Sequence, residues 1–209
     1  MSSTCYDFLD SAPVIPVIAI ENLAHAVPLA EALVAGGIVN LEITLRTEHG
    51  LDAIRLINQQ VAGAHVGVGT VCNAREFDAA IDAGAQFVVS PGQSDALFER
   101  ALVTNIPFLP GAVTATEVIA AKEAGFRILK FFPAGTSGGA AAIKAFSGPF
   151  GDLQFVPTGG VNIHNANDYL SLPNVRAVGG TWLTPSDAIN AERWDDITHI
   201  ARDASQLGA

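Results

Sequence analysis

One unit recurs along this sequence: an apolar, β-branched run, a turn rich in Gly, Pro, Thr or Asn, then an amphipathic stretch. The apolar runs are Val14–Ile20, Val39–Arg46, His65–Thr70, Phe87–Pro91, Ile106–Pro110, Arg127–Pro133, Leu153–Gly159 and Val175–Leu183. The amphipathic stretches are Leu23–Ala35, Thr47–Val61, Ala74–Ala83, Ser94–Thr104, Ala115–Ala124, Gly138–Phe146, Asn165–Leu170 and Ser186–Ser205. Helix stops are written at Gly36-Gly37, Gly63, Gly84 and Gly125, and Ser94 and Thr114 have the side chains of N-caps. A short helix over Asp7–Ala12 precedes the first run. Eight strands alternating with eight helices predict a (β/α)8 TIM barrel with a short N-terminal helix. Residues 1–209 form one domain on this reading, with no linker or low-complexity segment. An open doubly wound sheet is the other architecture that the alternation allows.

Within the sixth run, Arg127-Ile128-Leu129-Lys130-Phe131-Phe132-Pro133 sets a lysine among Ile, Leu and Phe. Burial disfavours the ammonium form of an amine. A lysine that sheds its proton is a nucleophile towards carbonyl carbon, through a Schiff base. The competing explanation is a lysine that snorkels out at the strand end or pairs with a structural acid. The other two lysines, Lys122 and Lys144, lie in Ala-rich helical contexts and read as surface positions. Phe132 shares the parity of Lys130 and would form an apolar wall over an imine, or simply pack inside the strands.

The second run alternates strictly: Asn40, Glu42, Thr44 and Arg46 have one parity, Leu41, Ile43 and Leu45 the other. If helices cover the outside of the strands, the apolar set faces them and Glu42 points inward. A buried glutamate needs a partner. It is either a structural counter-ion for Arg46 or Lys130, or a general acid/base beside the lysine. Arg46, at the C-terminal end of its strand, is placed to clamp a carboxylate. Active sites of such barrels lie at that end.

Two glycine-rich strand ends follow, Pro157-Thr158-Gly159-Gly160 and Gly179-Gly180-Thr181. Loops after the seventh and eighth strands commonly hold phosphate in this fold, because bare backbone N–H groups approach an anion closely. Gly67-Val68-Gly69-Thr70 lacks the third glycine of a dinucleotide fingerprint. The five histidines, His25, His49, His65, His164 and His199, are dispersed without ligand spacing, so no metal site is expected. Imine chemistry needs no cofactor, since a protonated imine is itself the electron sink.

Charge and hydropathy exclude other classes. The formal net charge is −10 and the basic residues never cluster, which argues against nucleic-acid or anionic-membrane binding. Mean hydropathy is +0.34, yet no apolar run approaches the ~20 residues of a membrane span. The first residues show no basic or long apolar leader, so no signal peptide is expected. Two cysteines, Cys5 and Cys72, make no disulfide framework and read as ordinary thiols of a reducing cytosol.

With these residues assembled, the chain resembles the 2-keto-3-deoxy-6-phosphogluconate (KDPG) aldolase / 4-hydroxy-2-oxoglutarate (KHG) aldolase family. The matching segments are Leu41-Glu42-Ile43-Thr44-Leu45-Arg46-Thr47, Val68-Gly69-Thr70-Val71, Ser90-Pro91-Gly92, Leu129-Lys130-Phe131-Phe132-Pro133-Ala134, Pro157-Thr158-Gly159-Gly160-Val161 and Gly179-Gly180-Thr181-Trp182-Leu183. The resemblance implies a class I aldolase of sugar-acid catabolism, such as the Entner–Doudoroff pathway. Such an enzyme cleaves KDPG to pyruvate and glyceraldehyde 3-phosphate, or KHG to pyruvate and glyoxylate. It further implies Lys130 as Schiff-base lysine and Glu42 as general acid/base. Arg46 and Thr70 would hold the pyruvate carboxylate, Pro91 and Phe132 would contact substrate, and Thr158 would bear on stereochemistry. Gly159, Gly160, Gly180 and Thr181 would take the phosphate end. A cytoplasmic homotrimer without cofactor or metal completes the family picture, its partners being the phosphorylated keto acid and pyruvate. An aldolase for the galactonate epimer, a metal-dependent barrel enzyme and a non-catalytic phosphosugar-binding barrel are the alternatives. Two positions depart from the family pattern: Thr181 replaces the usual Ser, and Gly135 replaces an acidic residue. The first adds a methyl near the phosphate, and the second is expected to loosen the loop after the sixth strand.

Overall fold

A computed structural model describes residues 3–208. Among these described residues nine parallel strands are present: β1 Val14–Ile18, β2 Asn40–Thr44, β3 His65–Gly69, β4 Val88–Val89, β5 Phe108–Leu109, β6 Gly111–Ala112, β7 Ile128–Phe131, β8 Gln154–Pro157 and β9 Val178–Gly180. They form a six-stranded sheet ordered β5-β4-β3-β2-β1-β9 and a three-stranded sheet ordered β6-β7-β8. The helices are α1 Ala26–Ala35, α2 Gly50–Gln60, α3 Ala74–Asp82, α4 Asp95–Thr104, α5 Ala115–Glu123, α6 Gly139–Phe146, α7 Ala166–Leu170, α8 Ser186–Asn190 and α9 Trp194–Ser205. The class is α/β with parallel strands, as the alternation predicts.

Several expectations are corrected. The hydrogen-bond ladder is divided between two sheets rather than continuous over eight strands. The fifth expected strand, Ile106–Pro110, is only Phe108–Leu109, and past Pro110, which has no N–H to give to a ladder, β6 belongs to the other sheet. The eighth starts at Val178, with only isolated bridges, Phe155 to Val175 and Thr158 to Gly179, beside β8. The N-terminal helix is a 3-10 helix over Ser3–Asp10, earlier than Asp7–Ala12. The last helical stretch breaks into α8 and α9 around Glu192, whose φ is +53°. The first stretch opens with a 3-10 turn, Leu23–His25, before α1.

Caps explain the helix starts. Ser94 Oγ accepts from Leu97 N–H, and Thr114 forms a capping box with Glu117 at the start of α5. Helix ends follow the glycine stops, with φ of +89° at Gly84 and +97° at Gly125.

Period-two alternation sorts the strand residues into two cores. Leu41, Ile43, Val88, Phe108, Leu129, Phe131 and Phe155 pack with the helices. Ile15, Phe87, Val89, Leu109, Ile128 and Val156 gather on the other face, where Tyr6, Phe8 and Leu9 of the 3-10 helix cover them. That helix is tied down by Tyr6 Oη donating to Phe108 O at 2.9 Å and Asn40 Nδ2 donating to Phe8 O at 2.8 Å. Each fully buried Phe, Leu or Ile contributes about 1.5–3 kcal/mol. One end of the inner face is thus closed by apolar packing, and the C-terminal end of the strands is left for polar groups.

Candidate active site

The inward parity of β2 and β7 brings together the two groups that sequence reasoning singled out. Lys130 Nζ lies 3.0 Å from Glu42 Oε1. Their side chains are 5% and 3% exposed, so the pair sits in the interior and not at a wet strand end. The snorkelling explanation fails on that burial. Lys130 Nζ also stands 5.5 Å above the ring of Phe132, within cation–π range. Both neighbours of Lys130 in β7, Leu129 and Phe131, face the helices, as a strand requires.

Space for Glu42 is made by Gly69. A Cβ there would overlap Glu42 Oε1 and come within 2.6 Å of its Cγ. Gly69 is not among the residues with positive φ, so its smallness and not its backbone freedom is used. Similarly, a Cβ on Gly179 would overlap Thr158 Oγ1.

A cavity of about 450 Å³ is lined by Arg46, Thr70, Pro91, Phe132, Thr158, Gly159, Gly160, Gly180 and Thr181, with Val17 and Val161; Lys130 and Glu42 are not in its lining, and Phe132 links it to the pair. Every predicted binding residue therefore lines one cavity. Arg46 Nε donates to Thr70 Oγ1 at 3.3 Å. Among the described residues no carboxylate pairs with Arg46, which leaves its guanidinium free for an anion. Thr70 itself has φ of +64°, a strained conformation for a β-branched residue that costs about 1–3 kcal/mol. Such strain is tolerated where a side chain must be aimed. Thr158 is buried, and its Oγ1 contacts Val156 O at 3.5 Å.

The two glycine-rich ends behave differently. Gly159 and Gly160 take φ of +93° and +79°, and Asn165 Nδ2 donates to Gly160 O at 2.9 Å. Gly135 N–H donates to Gly159 O at 2.9 Å, and Ala134 N–H to Thr158 O at 2.8 Å. The loop after β7 is therefore fastened to the loop after β8, with Gly135 itself giving one of the two bonds. Thr181 is exposed at the rim.

The sequence profile of the family described as KDPG and KHG aldolase matches residues 6–200. The chain belongs to the KDPG and KHG aldolase family. The 2-dehydro-3-deoxy-phosphogluconate aldolase of Dickeya dadantii is 49% identical to it over 196 residues, covering 94% of this chain and 92% of the relative. The KHG/KDPG aldolase of Escherichia coli is 47% identical over 196 residues, again 94% and 92%. Among solved structures, the KDPG aldolase of Legionella pneumophila, with pyruvate captured as a covalent carbinolamine intermediate, superposes with a TM-score of 0.92 at 42% identity. That match covers 95% of this chain and 96% of the Legionella chain.

Sequence reasoning did not single out Val17 or Gly69 for the aldolase-family site. Val17 was readable in principle, because it shares the parity of Ile15 in β1. Gly69 was not, since its approach to Glu42 depends on the pairing of β2 with β3, in which Thr44 lies opposite Gly69. Cys72 is exposed, and burial of its sulfur together with Glu76 pushes the thiol up, away from the reactive thiolate. Among the described residues no group of three or more His, Cys, Asp or Glu gathers as a metal site, and no helix is long and apolar enough to cross a membrane.

Proposed function

We propose that this chain is a class I aldolase that cleaves KDPG to pyruvate and glyceraldehyde 3-phosphate, and KHG to pyruvate and glyoxylate. The observation that carries the reading is the 3.0 Å contact between Lys130 Nζ and Glu42 Oε1 in the interior, joined through Phe132 to a cavity whose arginine pairs with no carboxylate among the described residues. Names of the related enzymes and the carbinolamine of the Legionella protein support the same chemistry.

Proton transfer from Lys130 to Glu42 frees the amine, which attacks the C2 carbonyl. The carbinolamine loses water to give an iminium. Glu42, directly or through a water, takes the C4 hydroxyl proton as the C3–C4 bond breaks, and the electron pair enters the iminium to form an enamine. The aldehyde leaves, Glu42 returns a proton to C3, and hydrolysis releases pyruvate. Arg46 and Thr70 hold the substrate carboxylate, Phe132 covers the imine, and Pro91 forms a wall. Thr158 meets the C4 hydroxyl, and the backbone at Gly159, Gly160 and Gly180 with Thr181 takes the phosphate.

The architecture proposed with it is a single-domain closed (β/α)8 ring. Two joins support closure: Lys130 N–H donates to Pro110 O at 3.0 Å, and Phe155 N–H donates to Asn174 O at 2.8 Å. The outer core runs unbroken from Ala12 to Ala204, which supports one domain. A cytoplasmic homotrimer fits the exposed thiol and the apolar side chains left on α4 and α5, Leu102, Val103 and Ile119, at 50%, 70% and 47% exposure. Borohydride added with pyruvate tests the chemistry: mass spectrometry should place the reduced adduct on Lys130. An adduct on Lys122 or Lys144 would overturn the assignment.

A further inference from the structure

The reaction cavity does not end at Thr181. A second cavity of about 240 Å³ adjoins it, and the two share Val17, Arg46 and Thr181 as their common wall. This second cavity lies between the loop after β1, the start of α1 and α8. Apart from the shared Arg46 and Thr181, no residue of its lining has a role in the proposed mechanism.

Its lining names its ligand. Val17, Ile20, Leu29 and Ile189 give an apolar side. Ser186 and Asn190 give a polar side, and among the described residues neither side chain has a hydrogen-bond partner within the protein. Asn22 adds an amide whose Oδ1 already accepts from Ala24 N–H at 3.0 Å. Glu21 brings a carboxylate, and the one arginine of the lining is Arg46, already turned towards Thr70. His25 adds an imidazole whose Nε2 lies 3.7 Å from Glu192 Oε1, and Thr184 a hydroxyl that already donates to Thr181 O. Such a wall gathers no cluster of free cations for a second phosphate and suits a neutral, hydroxylated chain, with C–H faces on the apolar side and hydroxyls on Ser186 and Asn190. At about 30 Å³ per water-sized group, the volume holds about eight such groups, or about three to four CHOH units of two heavy atoms.

We infer that this cavity is a second acceptor subsite, which takes the neutral hydroxylated tail of aldehydes longer than glyceraldehyde 3-phosphate. The inference rests on the aldolase reading. In the synthetic direction the pyruvate enamine on Lys130 adds to the aldehyde carbon, the new C–C bond takes the enamine electron pair, and the aldehyde oxygen takes a proton from Glu42. Water then hydrolyses the iminium, so the long 2-keto-3-deoxy acid leaves and the lysine is restored.

The experiment measures kcat/KM for pyruvate addition to D-glyceraldehyde, D-erythrose and D-ribose, in the wild type and in Ser186→Phe and Asn190→Phe. Both positions are exposed, so a phenylalanine fills the cavity without entering the core. The ratio of long-aldehyde to glyceraldehyde kcat/KM should fall about ten-fold or more in each variant, the scale on which a pocket discriminates by size. Retained borohydride trapping on Lys130 together with wild-type kcat/KM on D-glyceraldehyde shows that the catalytic pair is intact. A ratio that moves by less than about two-fold in both variants, or equal losses on short and long aldehydes, overturns the subsite. Wild-type protein that traps no pyruvate at Lys130 overturns the aldolase reading itself, a result seen before any long aldehyde is added.

Discussion

Gly69→Ala is a single methyl aimed at the catalytic pair. The backbone accepts alanine, since Gly69 is not at positive φ. The new Cβ would overlap Glu42 Oε1 and lie 2.6 and 2.8 Å from its Cγ and Cδ, closer than the 3.0 Å that real Cβ contacts respect. Glu42 must yield, because the three atoms nearest the methyl all belong to its side chain. A carboxylate displaced by about 1 Å from Lys130 loses the geometry on which proton transfer depends, and misplacement of that size costs about a hundred-fold in rate, or about 2.7 kcal/mol of barrier. Stability should fall less, by about 1–2 kcal/mol, since the weakened buried contact is partly offset by the stiffer unfolded chain of alanine. Pyruvate release coupled to lactate dehydrogenase reads kcat, and thermal unfolding reads stability. Gly67→Ala is the control: its Cβ would strike the Phe87 ring instead, so it should destabilise without a comparable loss of kcat. The double variant Gly69→Ala/Glu42→Gln should be no slower than Glu42→Gln alone, because one group cannot be lost twice. Wild-type kcat in Gly69→Ala, or additive losses in the double variant, would refute the reasoning.

Other outcomes follow from the same geometry. Lys130→Ala should abolish turnover and borohydride trapping together, whereas Glu42→Gln should slow turnover by about 10²–10⁴-fold and still permit trapping; unchanged turnover in Glu42→Gln would remove its catalytic role. Thr70→Gly should relieve about 1–3 kcal/mol of strain against about 0.5–1 kcal/mol of added glycine entropy, so unfolding temperature should hold or rise while KM for the keto acid increases through loss of the Arg46 contact. His65, tilted against Phe8 at 4.8 Å and stacked on Phe87 at 5.3 Å, has its pKa lowered by burial. Its depressed folded value means that the unfolded chain takes the proton first. The neutral histidine's contribution is therefore whole above about 6.5, declines as pH falls towards the folded value, and is constant below that. Unfolding temperature of the wild type against His65→Gln across that window should show the difference narrowing on acidification.

The residues proposed for the chemistry were legible because they break a local rule. A lysine in an apolar strand and a glutamate on the inward parity of β2 conflict with burial, and the structure resolves both conflicts with one contact. Strand and helix order was legible because the apolar period switches from two to 3.6 at each Gly or Pro turn. What stayed hidden depends on register and on distance along the chain. Pro110 was visible, but not that the ladder would divide there into two sheets. Gly69 beside Glu42 follows from β2–β3 pairing, which no single strand encodes. The second cavity is built from Glu21 and Asn22 with Ser186 and Asn190, residues far apart in sequence and carrying no motif between them.

The buried pair is better understood as chemistry than as stability. Lys130 and Glu42 share an inner face with the apolar Ile15, Val89, Leu109, Ile128 and Val156 and with the buried polar side chains Asn40 and Thr44. Replacing a buried ion pair by apolar residues of similar volume is often neutral or stabilising, so packing alone does not call for it. Removing one partner leaves a buried charge, and that asymmetry explains why the chain holds both. On the proposed mechanism the pair also keeps the pocket neutral at every stage. An ammonium faces a carboxylate at rest, a neutral amine faces a protonated acid at attack, an iminium faces a carboxylate before cleavage, and a neutral enamine faces a protonated acid after it. No step strands an unbalanced charge in the dry interior, where it would be most costly. A glutamine at position 42 can hydrogen-bond the nitrogen but cannot take up and return the proton, so the cycle would lose its balance at the bond-breaking step rather than at imine formation.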